Sequence, residues 1–110
     1  MVGLSLVVVA APGQEKWMTS ALRSLRAKTL HTLGCLRCHV SVDIDDPYTF
    51  HYVEEWGAEF DFREEIGSDR FHRLIAIMEA AASRPQFALH FVSRSVGLDY
   101  IEGALRRVRS

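Results

Sequence analysis

The chain has 110 residues, 48% hydrophobic and 25% charged, an ordinary composition that can fill one globular core. Its 13 Lys and Arg against 14 Asp and Glu leave a formal net charge of -1, which argues against nucleic acid or a membrane surface as the main partner, because both demand a basic excess. Two cysteines are too few for a disulfide framework and fit a reducing, cytoplasmic setting, and no apolar run approaches the ~20 residues that cross a bilayer.

Leu4 to Ala10 is apolar at every position except Ser5, and no basic segment precedes it, so it reads as a first strand rather than a secretory leader. A strand with one wet face would alternate; this one is expected to be buried on both. Pro12-Gly13 turns the chain. Gln14 to His31 reads as a helix with Met18, Ala21, Leu22, Leu25 and Thr29 at helical spacing and basic residues mostly opposite. Gly34 ends it and opens a second strand, Cys35–Val42. There Leu36, Cys38, Val40 and Val42 share one face and Cys35, Arg37, His39 and Ser41 the other. Asp43 to Tyr48 is an acidic, proline-containing turn. The third strand sets Phe50, Tyr52, Glu54 and Trp56 on one face with His51, Val53 and Glu55 opposite, completing a hairpin.

Ala58 to Ile66 reads as a short helix, acidic at its start as the helix dipole favours. Ser68 caps the next helix, whose apolar stripe is Phe71, Leu74, Ile75, Met78 and Ala82, and Pro85 stops it. Gln86 to Ser93 is a fourth strand, apolar on both faces. After Gly97, Leu98, Ile101, Leu105 and Val108 mark an amphipathic C-terminal helix. The order β-α-β-β-α-α-β-α predicts an α+β, ferredoxin-like domain over residues 1–110, with a core of about 4–93 and a tail of 98–109. Its helices cover one face of the sheet. The doubly apolar first and fourth strands imply a second copy on the bare face, giving a homodimer in the form of a dimeric α/β barrel.

Cys35-Leu36-Arg37-Cys38-His39 matches a haem-attachment string and a CxxC pair. On a regular strand residues three apart point to opposite faces, which argues against haem, zinc or disulfide and for two ordinary thiols. Asp43, Asp45, Asp46 and Glu54 mimic a calcium loop, but Tyr48 stands where that loop needs Gly and Pro47 where it needs a ligand, so no metal is expected. None of the five histidines forms a metal pair one helical turn apart. His39 and His90 lie on strands, where a neutral imidazole can take a proton. Glu54 lies in an aromatic row. If buried it needs a partner, which Arg37 or His39 on the neighbouring strand could supply.

Gly34-Cys35 opening the second strand, Glu54-Glu55-Trp56 closing the third, Phe60 in the short helix and Ser68-x-x-Phe71 opening the next resemble the antibiotic biosynthesis monooxygenase family. The resemblance runs from about Leu4 to Ser93. It implies a homodimeric barrel with one cleft per subunit. It also implies a monooxygenase that oxidises quinols or polycyclic phenols with molecular oxygen as co-substrate and no metal or flavin. Carried onto this chain, it makes Trp56, Tyr52 and Phe71 stacking residues, Arg37 the stabiliser of phenolate charge, and His39, Glu54 or His90 the proton acceptor. Glu65 stands where the family often has a helix His, and the chain contains no Asn, the cleft residue of the polyketide oxidisers and the haem degraders. The alternative is a dimeric small-molecule-binding protein of the same fold without chemistry.

Overall fold

β1 (Val2–Val9) lies inside a four-stranded antiparallel sheet of order β2-β3-β1-β4 in a computed structural model, which describes residues 1–109. The other strands are β2 (Cys35–Val42), β3 (Thr49–Trp56) and β4 (Gln86–Phe91). This order, with crossover helices between β1 and β2 and between β3 and β4, is the ferredoxin-like α+β fold. Val2, Leu4, Leu6 and Val8 are all but fully buried under the helices, each stabilising the fold by about 1.5–3 kcal/mol. The alternate residues Gly3, Ser5, Val7 and Val9 are half-buried, so within one chain the second face of β1 is only partly covered.

α1 (Glu15–Leu30) follows the Pro12-Gly13 turn, where Gly13 takes φ +79°. Met18, Leu22, Leu25 and Thr29 are its buried face, as their spacing predicts. The β2–β3 hairpin has the predicted β3 faces: Phe50, Tyr52, Glu54 and Trp56 are buried and the alternate residues half-buried. Its turn is held by its own carboxylates. Asp43 Oδ1 lies 2.9 Å from His51 Nε2, and Asp46 accepts from Thr49 Oγ1 at 2.7 Å and from the Tyr48 amide at 3.0 Å.

One expectation on β2 fails. A bulge between Cys35 and Arg37 adds a residue, so that Cys35 opposes Trp56 and Cys38 opposes Glu54. Both thiols therefore lie on the helix-covered side, packed in or against the core, and Leu36 is turned out to 58% exposure. Side chains three apart point to opposite faces only on a regular strand, and the bulge breaks that regularity.

α2 (Glu59–Glu65) buries only Phe62. α3 (Asp69–Glu79) starts at Ser68, whose hydroxyl accepts from the Phe71 amide as a cap. Its buried face is not the predicted stripe: Arg70, Leu74 and Ile77 are buried, Phe71 and Met78 half-buried, and Ile75 exposed. The face is rotated because an arginine takes its first inward position. α3 begins with Arg70 over Trp56, and the turn after it donates from the Ala82 amide to the Val9 carbonyl. It thus runs the length of β1. β4 pairs with β1 alone, its Phe87, Leu89 and Phe91 remain exposed, and α4 (Leu98–Arg109) buries no residue. Among the described residues no helix is long and apolar enough to cross a membrane.

Candidate functional site

Strand alternation puts Tyr52, Glu54 and Trp56 on the inward face of β3, and all three have no exposed surface. The Glu54 carboxylate collects three donors. Oε2 accepts from Tyr52 Oη at 2.6 Å and Arg70 Nη1 at 2.7 Å, and Oε1 accepts from Trp56 Nε1 at 2.8 Å. Thr29, on the inward stripe of α1, accepts a second bond from Arg70 Nη1 at 3.1 Å. Glu65 Oε2, at the end of α2, accepts from Arg70 Nε at 3.2 Å. Three other elements thus converge on one arginine of α3.

The Arg70 side chain is 7% exposed and its charge centre lies 5.4 Å from the Trp56 ring centroid. Trp56, Phe62 and Phe71 continue as two edge-to-face contacts, at 6.1 and 6.4 Å between centroids. Nη2 of Arg70 is buried and has no hydrogen-bond partner. A buried donor left open is costly, of order 1–3 kcal/mol and more for a charged group.

Burial would draw the Arg70 proton off, but the Glu54 charge and the bonds to Glu54 and Glu65 outweigh it, and the guanidinium is held above its usual value. Burial, reinforced by the Glu54 charge, raises the Tyr52 phenol well above its ordinary range, so it stays a donor. The Cys38 thiol is pushed up to about 11, by burial first, and against a bond with Tyr52 that lowers it. Cys35 is raised by the same two causes, burial and the Glu54 charge. Both thiols are therefore protonated and poor nucleophiles near neutral pH.

The structure brings Glu54, Tyr52 and Trp56 into one cluster, with Phe71 joined through Phe62. Arg37, His39 and His90 lie on the other face of the sheet. Arg37 makes an exposed 3.5 Å pair with Glu55, worth little in water. His39 is opposite Val53, and His90 Nε2 sits 3.2 Å from Ser5 Oγ over Gly3. Neither Arg37 nor His39 can reach Glu54 through the sheet, and the partner is Arg70. Arg70 is the member that strand and motif reasoning passes over; that reasoning places Thr29 only on the stripe of α1 and Glu65 only where the family often has a helix His. The signal for Arg70 is its spacing, four before Leu74 and seven before Ile77, on a helix next to a strand with a buried carboxylate. Among the described residues no cluster of three His, Cys, Asp or Glu is placed to hold a metal ion.

No protein-family model matches the sequence, and no curated protein does. Solved structures do. One described as an antibiotic biosynthesis monooxygenase superposes with a TM-score of 0.73 over 86% of this chain and 100% of its own, at 22% identity. The chain has the fold of the antibiotic biosynthesis monooxygenases. A candidate antibiotic biosynthesis monooxygenase from Deinococcus radiodurans shares this fold at a TM-score of 0.78 and 16% identity, over 88% of this chain and 97% of that one. A variant of SnoaB, a cofactor-independent oxygenase from Streptomyces nogalater, shares it at 0.72 and 14% identity, over 86% and 95%.

Proposed function

We propose that this chain is a homodimeric, cytoplasmic oxygenase that oxidises a phenolic or quinol ring with molecular oxygen and no cofactor. The observation that carries the reading is the open donor of Arg70, buried among aromatic rings and between two carboxylates. A phenol must be deprotonated before its ring can give an electron to oxygen, and a phenolate in a dry site needs a cationic donor. Arg70 Nη2 is that donor, with its position fixed by Glu54 and Thr29.

Glu65 is the proton acceptor in this reading. It holds Arg70 through one oxygen only, and its side chain is 19% exposed. The phenolic proton goes to Glu65 and the phenolate oxygen accepts from Nη2. The ring then passes one electron to oxygen, giving a phenoxyl radical and superoxide. These combine at a ring carbon as a peroxide anion, which takes the proton back from Glu65 and then loses water to leave a quinone carbonyl. One oxygen atom ends in the product and the other in water. Glu54 is a positioning residue, and Trp56, Phe62 and Phe71 offer ring edges and faces. His39 and His90, across the sheet, take no part in this step.

The test is oxygen uptake with reduced naphthoquinols and anthrones, comparing the protein with buffer, Trp56→Phe and Glu65→Gln. Uptake above buffer that falls by roughly 10²–10⁴-fold in Glu65→Gln supports the assignment. Uptake equal to buffer for the whole panel favours the second reading, a dimer that binds small aromatic molecules without chemistry. A specific observation stands behind that reading: Tyr52, Glu54 and Trp56 have no solvent-exposed surface in the single chain, and both Glu54 oxygens are already bonded. It predicts saturable ligand quenching of tryptophan fluorescence without oxygen loss.

A further inference from the structure

Two apolar surfaces of this chain lack a cover. The first is a trough at the β4 edge of the sheet. Phe87, Leu89 and Phe91 pair with Leu6, Leu4 and Val2, so they share the helix-side face, yet they are 40%, 37% and 62% exposed. The wall of the trough is α3. Arg73, Ala76 and Ile77 face α1 across a shared groove. At 100° per residue Ile75 and Met78 fall on the opposite flank, away from α1.

The second surface is the stripe of α4. Leu98, Ile101, Leu105 and Val108 lie along one side of the helix and are 49–84% exposed. An α4 folded back on its own chain would bury them. The radius of gyration is 16.7 Å, against about 13 Å for a compact domain of this length, so the chain is drawn out rather than closed.

We propose that α4 of one copy lies in the α3–β4 trough of a second copy, and the second copy's α4 in the first. The fit is one of length and area. Twelve helical residues span about 18 Å and six strand residues about 20 Å. Covering the α4 stripe, the β4 row and Ile75 in both copies removes roughly 1,600 Å² from water, the size of a standard stable interface. Receptor and occupant are both present in every chain, so a two-fold axis satisfies each with two identical joints and leaves no open end. The inference rests on the homodimer of the proposed function and adds which segment makes it.

The test is sedimentation velocity of the full chain on dilution from micromolar to nanomolar, for the wild type, Ile101→Glu/Leu105→Glu and Leu89→Glu. Circular dichroism would check that each variant is folded; Ile101 and Leu105 are 52% and 49% exposed within one chain, so a charge at either reaches water without unfolding it. The wild type is expected to be a dimer and the α4 pair to weaken it about 100-fold or more. Leu89→Glu is expected to weaken it likewise. Mixing the two variants should restore dimers, because a mixed dimer keeps one intact joint. A variant pair that dissociates like the wild type overturns the α4 exchange and leaves a homodimer made elsewhere. A wild type that is monomeric at every concentration overturns both.

Discussion

Arg70→Met tests whether the Glu54 cluster is a dry ion pair. The substitution keeps a long apolar stem over Trp56 and removes the guanidinium. It deletes the 2.7 Å bond to Glu54, the 3.1 Å bond to Thr29 and the 3.2 Å bond to Glu65. It leaves a carboxylate with no exposed surface and no cation. Breaking a buried pair from one side costs about 3–5 kcal/mol, a large part of the ~5–15 kcal/mol that holds a domain together. Packing of the methionine returns part of this, so a net loss of about 3 kcal/mol is expected, or ~12–20 °C in Tm. Adding Glu54→Gln removes the stranded charge and keeps an acceptor for Tyr52 or Trp56. The double variant should then be more stable than Arg70→Met by ~1–3 kcal/mol, although Glu54→Gln alone destabilises. Urea unfolding at one fixed chain concentration measures all four proteins. A loss below ~1 kcal/mol for Arg70→Met, or additive losses around the cycle, would refute the dry-pair account.

Three further outcomes follow from local geometry. Gly34 sits at φ +89°, and a Cβ there would lie 2.6 Å from Asp61 Cβ. Gly34→Ala should cost about 2–4 kcal/mol in urea melts and Gly13→Ala, whose added Cβ meets nothing, about 1 kcal/mol. Cys38 titrates at about 11 when folded against an ordinary 9.0, and Tyr52 is raised as well. Folding therefore favours the protonated forms: this stability is complete below pH 9 and is lost as pH rises through 11, which the urea midpoint across that window reads directly. Ser68→Ala removes the α3 cap and should cost about 1 kcal/mol, with faster amide exchange confined to the first turn of α3.

The element order and the β3 faces were legible because period-two and period-3.6 patterns report directly on which side is dry. The Ser68 cap was legible because its neighbour in space is also its neighbour in sequence. The β2 bulge was not, since one extra residue in a strand carries no compositional mark and becomes visible only against the register of β3. Arg70 was not, because a charged residue at an inward helix position looks like a solvated one until the carboxylate beneath it is placed. That contact joins residues 16 apart on different elements. The assignment of Arg37 and His39 to Glu54 used the right neighbouring strand but the wrong face, which is a question of pleat rather than of distance along the chain. Two apolar faces were expected on β4, but the strand stops at Phe91, and opposite the row of Phe87, Leu89 and Phe91 stand Gln86, Ala88 and His90.

β1, the first of the four strands in chain order, is an interior strand of the sheet. β1 pairs on one side with β3, up to Val2↔Trp56, and on the other with β4, up to Val2↔Phe91. Its nearest sequence neighbours, α1 and β2, give it no backbone partner. During synthesis the run from Val2 to Val9 waits with both edges unpaired until Trp56 has emerged, and with one edge unpaired until Phe91 has. The sheet therefore closes only when most of the chain is available, at a high loop-closure cost. Until then the cell handles a short, uncharged, β-prone segment of the kind that holdase chaperones shelter. The Asp-rich turn offsets this from the other end. By clamping His51 and Thr49 it fixes the β2–β3 register locally, so a template of the correct phase is ready when β1 arrives.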